Sequence, residues 1–551
     1  MIAWDRASGA PGVCGFWSSG FIANRQEIIR QLGAGARENL SDLELAAALC
    51  ARFGTESPRL IHGPFAWIVW DGNCQRLVAV RDRLGVNELY FAQRKAEILF
   101  AGEIDPLLEG SGPLVIDPRA VLAQLRGQPP APDATFYRGI SAVAPGGLLI
   151  VTRDRIDARM YWRPEPQQLL RLPDDASYGR AFRELFLPIV GEYLSGGEVG
   201  VTLSGGLDST TVAAAVREAS PSTGLTAFIW TAPELPEADE SEPAAAVCQQ
   251  LGCRAVTLAA DHCWPLRTEP GIRPERDSPL FNLYADAWDA TFRAVREQGI
   301  RLLFSGLSGD HLFGGDVFSY PDLLLTGRWC KLVSEVGEQS RHSELPAAAI
   351  VRWMTLAPVA NAYVPGWERD RTQAVPWLGE ELRREAPPPP PALPRRLLPG
   401  RRDRLRLLRD PLLPSIASLL TRQAARHGID FRHPLLDHRL FDFAATLPTA
   451  QSFSAGKRKM ILRSAMRGRL PERVLDRRGK TYSNAIVRRG LRERERDKVW
   501  ALMTDMRAAQ LGYVDERLLR TAYDDYLAGR SQSTLFWHTL TLEAWLRRYF
   551  S

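Results

Sequence analysis

The sequence predicts a multi-domain α/β protein. Two observations carry that prediction. Residues 1–165 hold short β-type runs separated by turn chemistry, and from about residue 175 short apolar runs alternate with helical stretches. Within the first part, Ala66–Trp70, Arg76–Val80 and Glu88–Phe91 are strand candidates bounded by Asp71-Gly72-Asn73 and Arg83-Leu84-Gly85. Ser41 to Ala46 opens like an N-capped amphipathic helix. In the second part, 175–551, Val199–Leu203, Leu225–Trp230 and Ile300–Phe304 are buried-strand candidates, with a helix over Thr210–Ala219. Strand–helix alternation predicts a parallel sheet covered on both faces. Beyond about 320 the pattern is largely helical. Pro387–Pro391 and Pro394 interrupt it, and an arginine-rich run from Arg395 to Arg409 reads as a solvated helix face.

Composition sets limits. The chain has 551 residues, 45% hydrophobic and 24% charged, which excludes disordered and low-complexity classes. A net charge of +6 over this length suits anionic ligands without indicating nucleic acid. The cysteine number, seven, is odd and no pair is spaced C-x-x-C, consistent with a reducing cytosol. Cys253, His262 and Cys263 lack the second close pair that a structural zinc site needs. No signal peptide and no apolar stretch of the roughly 18–20 residues that span a bilayer is evident, so a cytoplasmic protein without membrane insertion is expected.

The strongest local signal is Leu203-Ser204-Gly205-Gly206-Leu207-Asp208-Ser209, between an apolar strand and a helix. Gly205 and Gly206 let consecutive N–H groups point into one concavity, and the following helix adds the positive end of its dipole. Ser204 and Ser209 add hydroxyls. The result is a pyrophosphate cradle, in which Asp208 makes sense as a Mg²⁺ ligand. No lysine closes the loop as in a G-x-x-x-x-G-K-S/T motif, which points to chemistry at an α-phosphate with pyrophosphate departing. A second cluster, Ser305-Gly306-Leu307-Ser308-Gly309-Asp310, again sets glycines and an acid at a strand end. Ligands of open α/β sheets sit beyond the carboxyl ends of strands, so Asp208 and Asp310 are expected on one metal–pyrophosphate group. Asp316 competes with Asp310 for that role.

The whole chain resembles the asparagine synthetase family. Matching segments include Gly63–Ala66, Arg81–Val86, Phe100–Glu103, the Ser204–Ser209 loop, Ser305–Gly315, Arg432–Leu440, Lys459–Arg463, and Leu470-Pro471 leading to Arg477 and Lys480. The resemblance implies an N-terminal Ntn-hydrolase-like αββα sandwich over 1–165. It implies a PP-loop (adenine nucleotide α-hydrolase-like) parallel-sheet domain with a helical C-terminal part over 175–551. It also implies ATP and Mg²⁺ as cofactors and Lys480 as the lysine that meets the acyl-adenylate. Lys459 and Arg463 sit one helical turn apart, a spacing that suits phosphate contact and a plain surface position equally.

Departures from the family pattern redirect the function. A working family glutaminase begins Met-Cys-Gly, whereas this chain begins Met1-Ile2-Ala3, and Cys14 is internal and lacks a free α-amine. Ser19–Asn24 resembles the family's later glutamine-binding strand, so a degenerate glutaminase that makes no ammonia is expected. Leu307 stands where asparagine synthetases carry Glu and β-lactam-forming relatives carry Tyr, and it can act neither as acid nor as base. A peptide α-amine, with a pKa of about 8, needs less help. The family implication is then a lasso peptide cyclase: an Asp or Glu side chain of a core peptide is adenylated and joined to its N-terminal amine. A leader peptidase and a leader-binding protein are the implied partners. Alternatives are a β-lactam- or carbapenam-synthetase-like small-molecule amide synthetase, a glutamine-independent asparagine synthetase homologue, or a non-catalytic scaffold.

Overall fold

The computed structural model describes residues 2–5, 13–33, 39–95, 97–110, 112–268, 271–314, 317–343, 345–364, 375–385, 393–394, 396–454, 456–478 and 484–550. Among the described residues, nine strands in the front part form two antiparallel sheets. One has the order β1 (Ile2–Asp5), β6 (Glu97–Ala101), β5 (Tyr90–Arg94), β7 (Ile140–Ala142). The other runs β2 (Val13–Gly20), β3 (Phe65–Asp71), β4 (Arg76–Arg81), β8 (Gly147–Val151), β9 (Ile156–Met160). Alternation along β3 explains the layering. Ala66, Ile68 and Trp70 face the other sheet, meeting Ile98 and Phe100. Phe65, Trp67 and Val69 face the helices Arg25–Leu32 and Asp42–Phe53. Helix Asp42–Phe53 starts on the anticipated cap, with Ser41 Oγ accepting from the Glu44 amide in a capping box.

The outer face of the first sheet is covered by helix Pro118–Leu125 and by the chain's last helix, Phe536–Tyr549, in one core with Tyr90, Leu99, Val121, Leu540 and Trp545. The front part is therefore an αββα sandwich whose fourth layer is partly supplied by the far end of the chain.

The back part holds a five-stranded, all-parallel sheet in the order β12 (Arg254–Ala259), β11 (Leu225–Thr231), β10 (Val199–Thr202), β13 (Leu302–Phe304), β14 (Asp430–Arg432). Val199, Val201 and Phe304 turn toward Phe182, Phe186 and Val212 on helices Asp175–Tyr193 and Leu207–Ala219. Phe228 and Leu303 turn the other way, onto Phe292, Val295, Leu420 and Ala424. Both faces are covered, as the alternation predicted. Two strands escape the sequence pattern. β14 is three residues long inside an otherwise helical stretch, and β12 is an edge strand with four exposed positions.

The arginine run is a correction. Helix Pro399–Leu408 forms, but Arg402 and Arg404 are buried. Arg404 donates to the carbonyls of Ala444 (3.0 Å) and Leu447 (2.7 Å) and to Ser452 Oγ (2.6 Å). These arginines staple the helix to its neighbours rather than facing solvent. Pro387–Pro391 and Arg395 lie outside the described residues.

Candidate active site

Parallel strands raise every following loop at one end of the sheet, and the site forms there between β10 and its neighbour β13. Leu203 continues β10 and donates its amide to Phe228 O at 2.9 Å. The chain then turns through Gly205 and Gly206 into helix Leu207–Ala219, whose first-turn N–H groups have no intrahelical acceptor. Ser204 and Ser209 brace this turn. Their hydroxyls lie 2.9 Å apart, Ser209 Oγ accepts from the Ser204 amide at 3.0 Å, and Ser204 Oγ accepts from the Gly206 amide at 3.2 Å. Both hydroxyls are thus spent on shaping the cradle, and the backbone is left to face a ligand. From outside, Arg477 donates to Gly205 O at 3.3 Å and pairs with Glu240 at 2.9 Å.

The second loop is pressed against the first. A Cβ on Gly306 would stand 2.3 Å from the Ser209 nitrogen, and one on Gly309 would stand 2.1 Å from the Asp208 carboxyl group. Only glycine permits this approach. Between them Ser308 takes φ 90° and is buried, and its Oγ has no hydrogen-bond partner among the described residues. Lys459, at φ 58°, is a second non-glycine residue in the left-handed region. Strain of this kind persists where surrounding structure holds it, and it clusters at functional sites.

Lys459 joins the two loops. It precedes helix Met460–Ala465, its amide donates to Ser452 O at 2.6 Å, and its ammonium lies 2.6 Å from Asp208 Oδ2 and 2.8 Å from Asp310 Oδ1. Burial works against its charge, but the two carboxylates override that and hold its pKa above the ordinary lysine value. Asp208 and Asp310 are therefore brought together as expected, and Lys459 contacts both of them. Ser305 is buried beside them. Its amide donates to Arg432 O at 3.2 Å, and its Oγ lies 2.7 Å from His433 Nδ1. His433 Nε2 is 3.2 Å from Thr421 Oγ1, and burial pushes the imidazole down to about 3. The Ser305–His433 pair was not singled out in the sequence. Both residues lie in matched segments, Ser305–Gly315 and Arg432–Leu440, but 128 positions separate them and the β13–β14 pairing is what brings them together.

Leu307 packs against the main core and offers no polar group. The Arg463 guanidinium is engaged by backbone carbonyls. It donates to the carbonyls of Arg458, Leu475 and Arg477, holding the turn from which Arg477 projects. Lys480 and Asp316 lie outside the described residues. His262 sits 3.3 Å from Glu234, and the Cys253 amide donates to Cys248 O at 2.9 Å.

A magnesium ion fits the donor set. Two carboxylates converge where Lys459 now supplies the positive charge. No cluster of three or more His, Cys, Asp or Glu side chains suited to a metal occurs among the described residues. Asp208 and Asp310 would hold Mg²⁺ together with phosphate oxygens and water, the usual manner for this ion.

A parallel sheet covered on both faces, with a glycine-bearing turn at its carboxyl end, is joined to an αββα sandwich, and this pairing of domains is the frame in which the chain's relatives are compared. The chain belongs to the asparagine synthase family: the model described as asparagine synthase matches residues 181–547, and a glutamine amidotransferase domain matches residues 14–162. That family comprises ATP-dependent amide ligases forming AMP and pyrophosphate. Among curated relatives, amidase chry2 of Gibberella zeae is 30% identical over 55% of this chain and 47% of its own length. Amidase chyE of Penicillium rubens is 28% identical over 51% of this chain and 45% of its own length. Asparagine synthetase [glutamine-hydrolyzing] 1 of Bacillus subtilis is 21% identical over 91% of this chain and 81% of its own length. The chain spans less than half the length of the two amidases. A glutamine phosphoribosylpyrophosphate amidotransferase structure from B. subtilis overlaps 56% of this chain and 59% of its own at 12% identity and TM-score 0.21, too slight a likeness to bear on the fold.

Proposed function

We propose that this chain is an ATP-dependent amide ligase that closes a macrolactam on a peptide. A side-chain carboxylate of the peptide attacks the α-phosphorus of ATP, and the bond to pyrophosphate breaks. The peptide's own N-terminal amine then attacks the acyl-adenylate carbonyl, the amide forms, AMP departs and the amine proton is released. The observation that carries this reading is the Asp208–Lys459–Asp310 cluster between two glycine-bearing loops. Bound Mg²⁺ supplies charge neutralisation of the leaving pyrophosphate. The Ser204–Ser209 turn binds and orients phosphate through its backbone, and Lys459 fixes the spacing of the two carboxylates. Lys480 keeps its proposed role at the acyl-adenylate.

The intramolecular amine follows from two features. Leu307 cannot deprotonate a weak nucleophile. Cys14 lies within β2, opposite Trp70, and carries no free α-amine in this chain. A lasso peptide core, freed by a leader peptidase and delivered by a leader-binding protein, meets these requirements. A small-molecule amide synthetase is the second reading, favoured by the two relatives named amidases.

The test incubates the protein with ATP, Mg²⁺ and a leaderless peptide bearing a free N-terminus and an internal Asp or Glu. Loss of one water from the peptide together with AMP is expected. ADP would sink the adenylation step, and turnover of free amino acid derivatives but not peptides would select the second reading.

A further inference from the structure

Thirteen large apolar side chains stand exposed among the described residues, and nine of them fall between Leu325 and Val364. Trp329 is 65% exposed, Val333 72% and Trp353 48%. The segment is built of helices Tyr320–Leu325 and Trp329–His342, and of a helical run from Ala347 to Tyr363. Their inner faces are satisfied: Tyr320, Val336 and Ile350 pack with Phe453, in the two-stranded hairpin that leads to Lys459. Along Trp329–His342, Leu332, Glu335 and Val336 turn inward, while Trp329, Val333 and Ser334 open to solvent. The exposed apolar groups are thus the outer face of an already packed helical layer.

Charge says what that face fits. Among its described residues every exposed Asp, Glu, Lys or Arg side chain is cationic: Arg328, Lys331, Arg341 and Arg352. Arg341 is matched by Glu338 at 2.9 Å, and Arg352 lies 4.8 Å over the Trp353 ring. Arg328, Lys331 and Arg352 have no carboxylate partner among the described residues. Arg409, Arg406 and Arg477, by contrast, pair with Glu165, Asp403 and Glu240. A second copy of this chain would bring the same unmatched cations and be repelled.

We infer that this outer face docks on an anionic lipid surface, with Trp329, Val333, Trp353 and Leu356 entering the headgroup boundary and Arg328, Lys331 and Arg352 meeting lipid phosphates. Tryptophans flanked by cations on the open side of a helix are the composition of interfacial, non-spanning association. None of the described helices is long and apolar enough to cross a membrane, so the contact is with the surface. The inference stands independently of the reaction proposed above.

The experiment is flotation of the full chain with vesicles of phosphatidylcholine alone and of phosphatidylcholine with phosphatidylglycerol. Flotation is expected with the anionic vesicles only, and added salt should reverse it. Trp329→Ser with Trp353→Ser should lower the bound fraction more than about tenfold. Arg328→Glu with Lys331→Glu should lower it by at least about fivefold per residue. Phe53→Ser, an exposed aromatic on the front part, should leave flotation unchanged. If the tryptophan variant fails to fold, the charge-reversal variant and the salt titration decide. No flotation, equal flotation on both vesicles, or flotation indifferent to both variants would overturn the inference. So would self-association or a protein partner occupying the same face with no lipid binding.

Discussion

Lys459 sits where two carboxylates would otherwise repel each other, so its removal separates its structural and chemical contributions. In Lys459→Met, Asp208 and Asp310 lose their shared counter-charge. The expected destabilisation is about 2 kcal/mol, below the fully buried range because Asp310 is one-third open to water. Calorimetry should show Mg²⁺ raising the Tm of this variant more than that of the wild type, because the ion restores the missing charge. Pyrophosphate release should fall at least about 100-fold. An identical Mg²⁺ response in the two proteins would remove the carboxylates from metal binding. His433 makes a second test at this scale. Burial holds its folded pKa down to about 3 against an ordinary 6.5, so the unfolded chain binds the extra proton between those values. Its contribution is full above pH 6.5 and is lost as pH falls toward 3. His433→Gln should flatten the acid side of a Tm–pH curve while leaving Tm near neutrality little changed.

At the scale of elements, the two site loops are set by neighbouring strands and held close by missing side chains. Gly309 opens the short helix Gly309–Phe313, and a methyl group there would overlap the Asp208 carboxyl group. Gly309→Ala should push the loops apart and cost about 100-fold or more in pyrophosphate release, because small misplacements of reacting groups are expensive. Its effect on Tm should be much smaller, since the helices beneath are packed independently. Comparing the two readouts checks whether the contact serves geometry rather than stability. Glycine spacing made both loops legible in the sequence. Their approach was not, because it depends on β10 and β13 being neighbours although a hundred residues apart.

For the whole molecule, the decisive feature is that the front sandwich borrows part of a layer from the end of the chain. Gln124 donates to Thr541 Oγ1 at 3.0 Å, the Phe136 and Trp545 rings lie 5.5 Å apart, and Phe21 stacks against the Arg432 guanidinium at 3.9 Å. Residues 1–165 expressed alone would bare Tyr90, Val121 and Leu125. That fragment should be protease-sensitive and aggregate, whereas the full chain should resist limited proteolysis across the junction. A stable, monomeric fragment would show that the C-terminal helix is dispensable to the sandwich.

Local chemistry was readable from the residues alone. The Ser204–Ser209 turn, the capped helix at Ser41 and the apolar run that becomes β3 each depend on residues within about a dozen positions, where periodicity and turn preference act directly. Tertiary structure decided the rest. It placed Lys459 between Asp208 and Asp310, paired Ser305 with His433, drew the three-residue β14 into the sheet, and turned Arg402 and Arg404 inward. Each of these joins segments distant along the chain, where the outcome turns on burial and on which carbonyl or carboxylate lies opposite. No local pattern carries that information, because the partner is chosen only when the strands and helices pack.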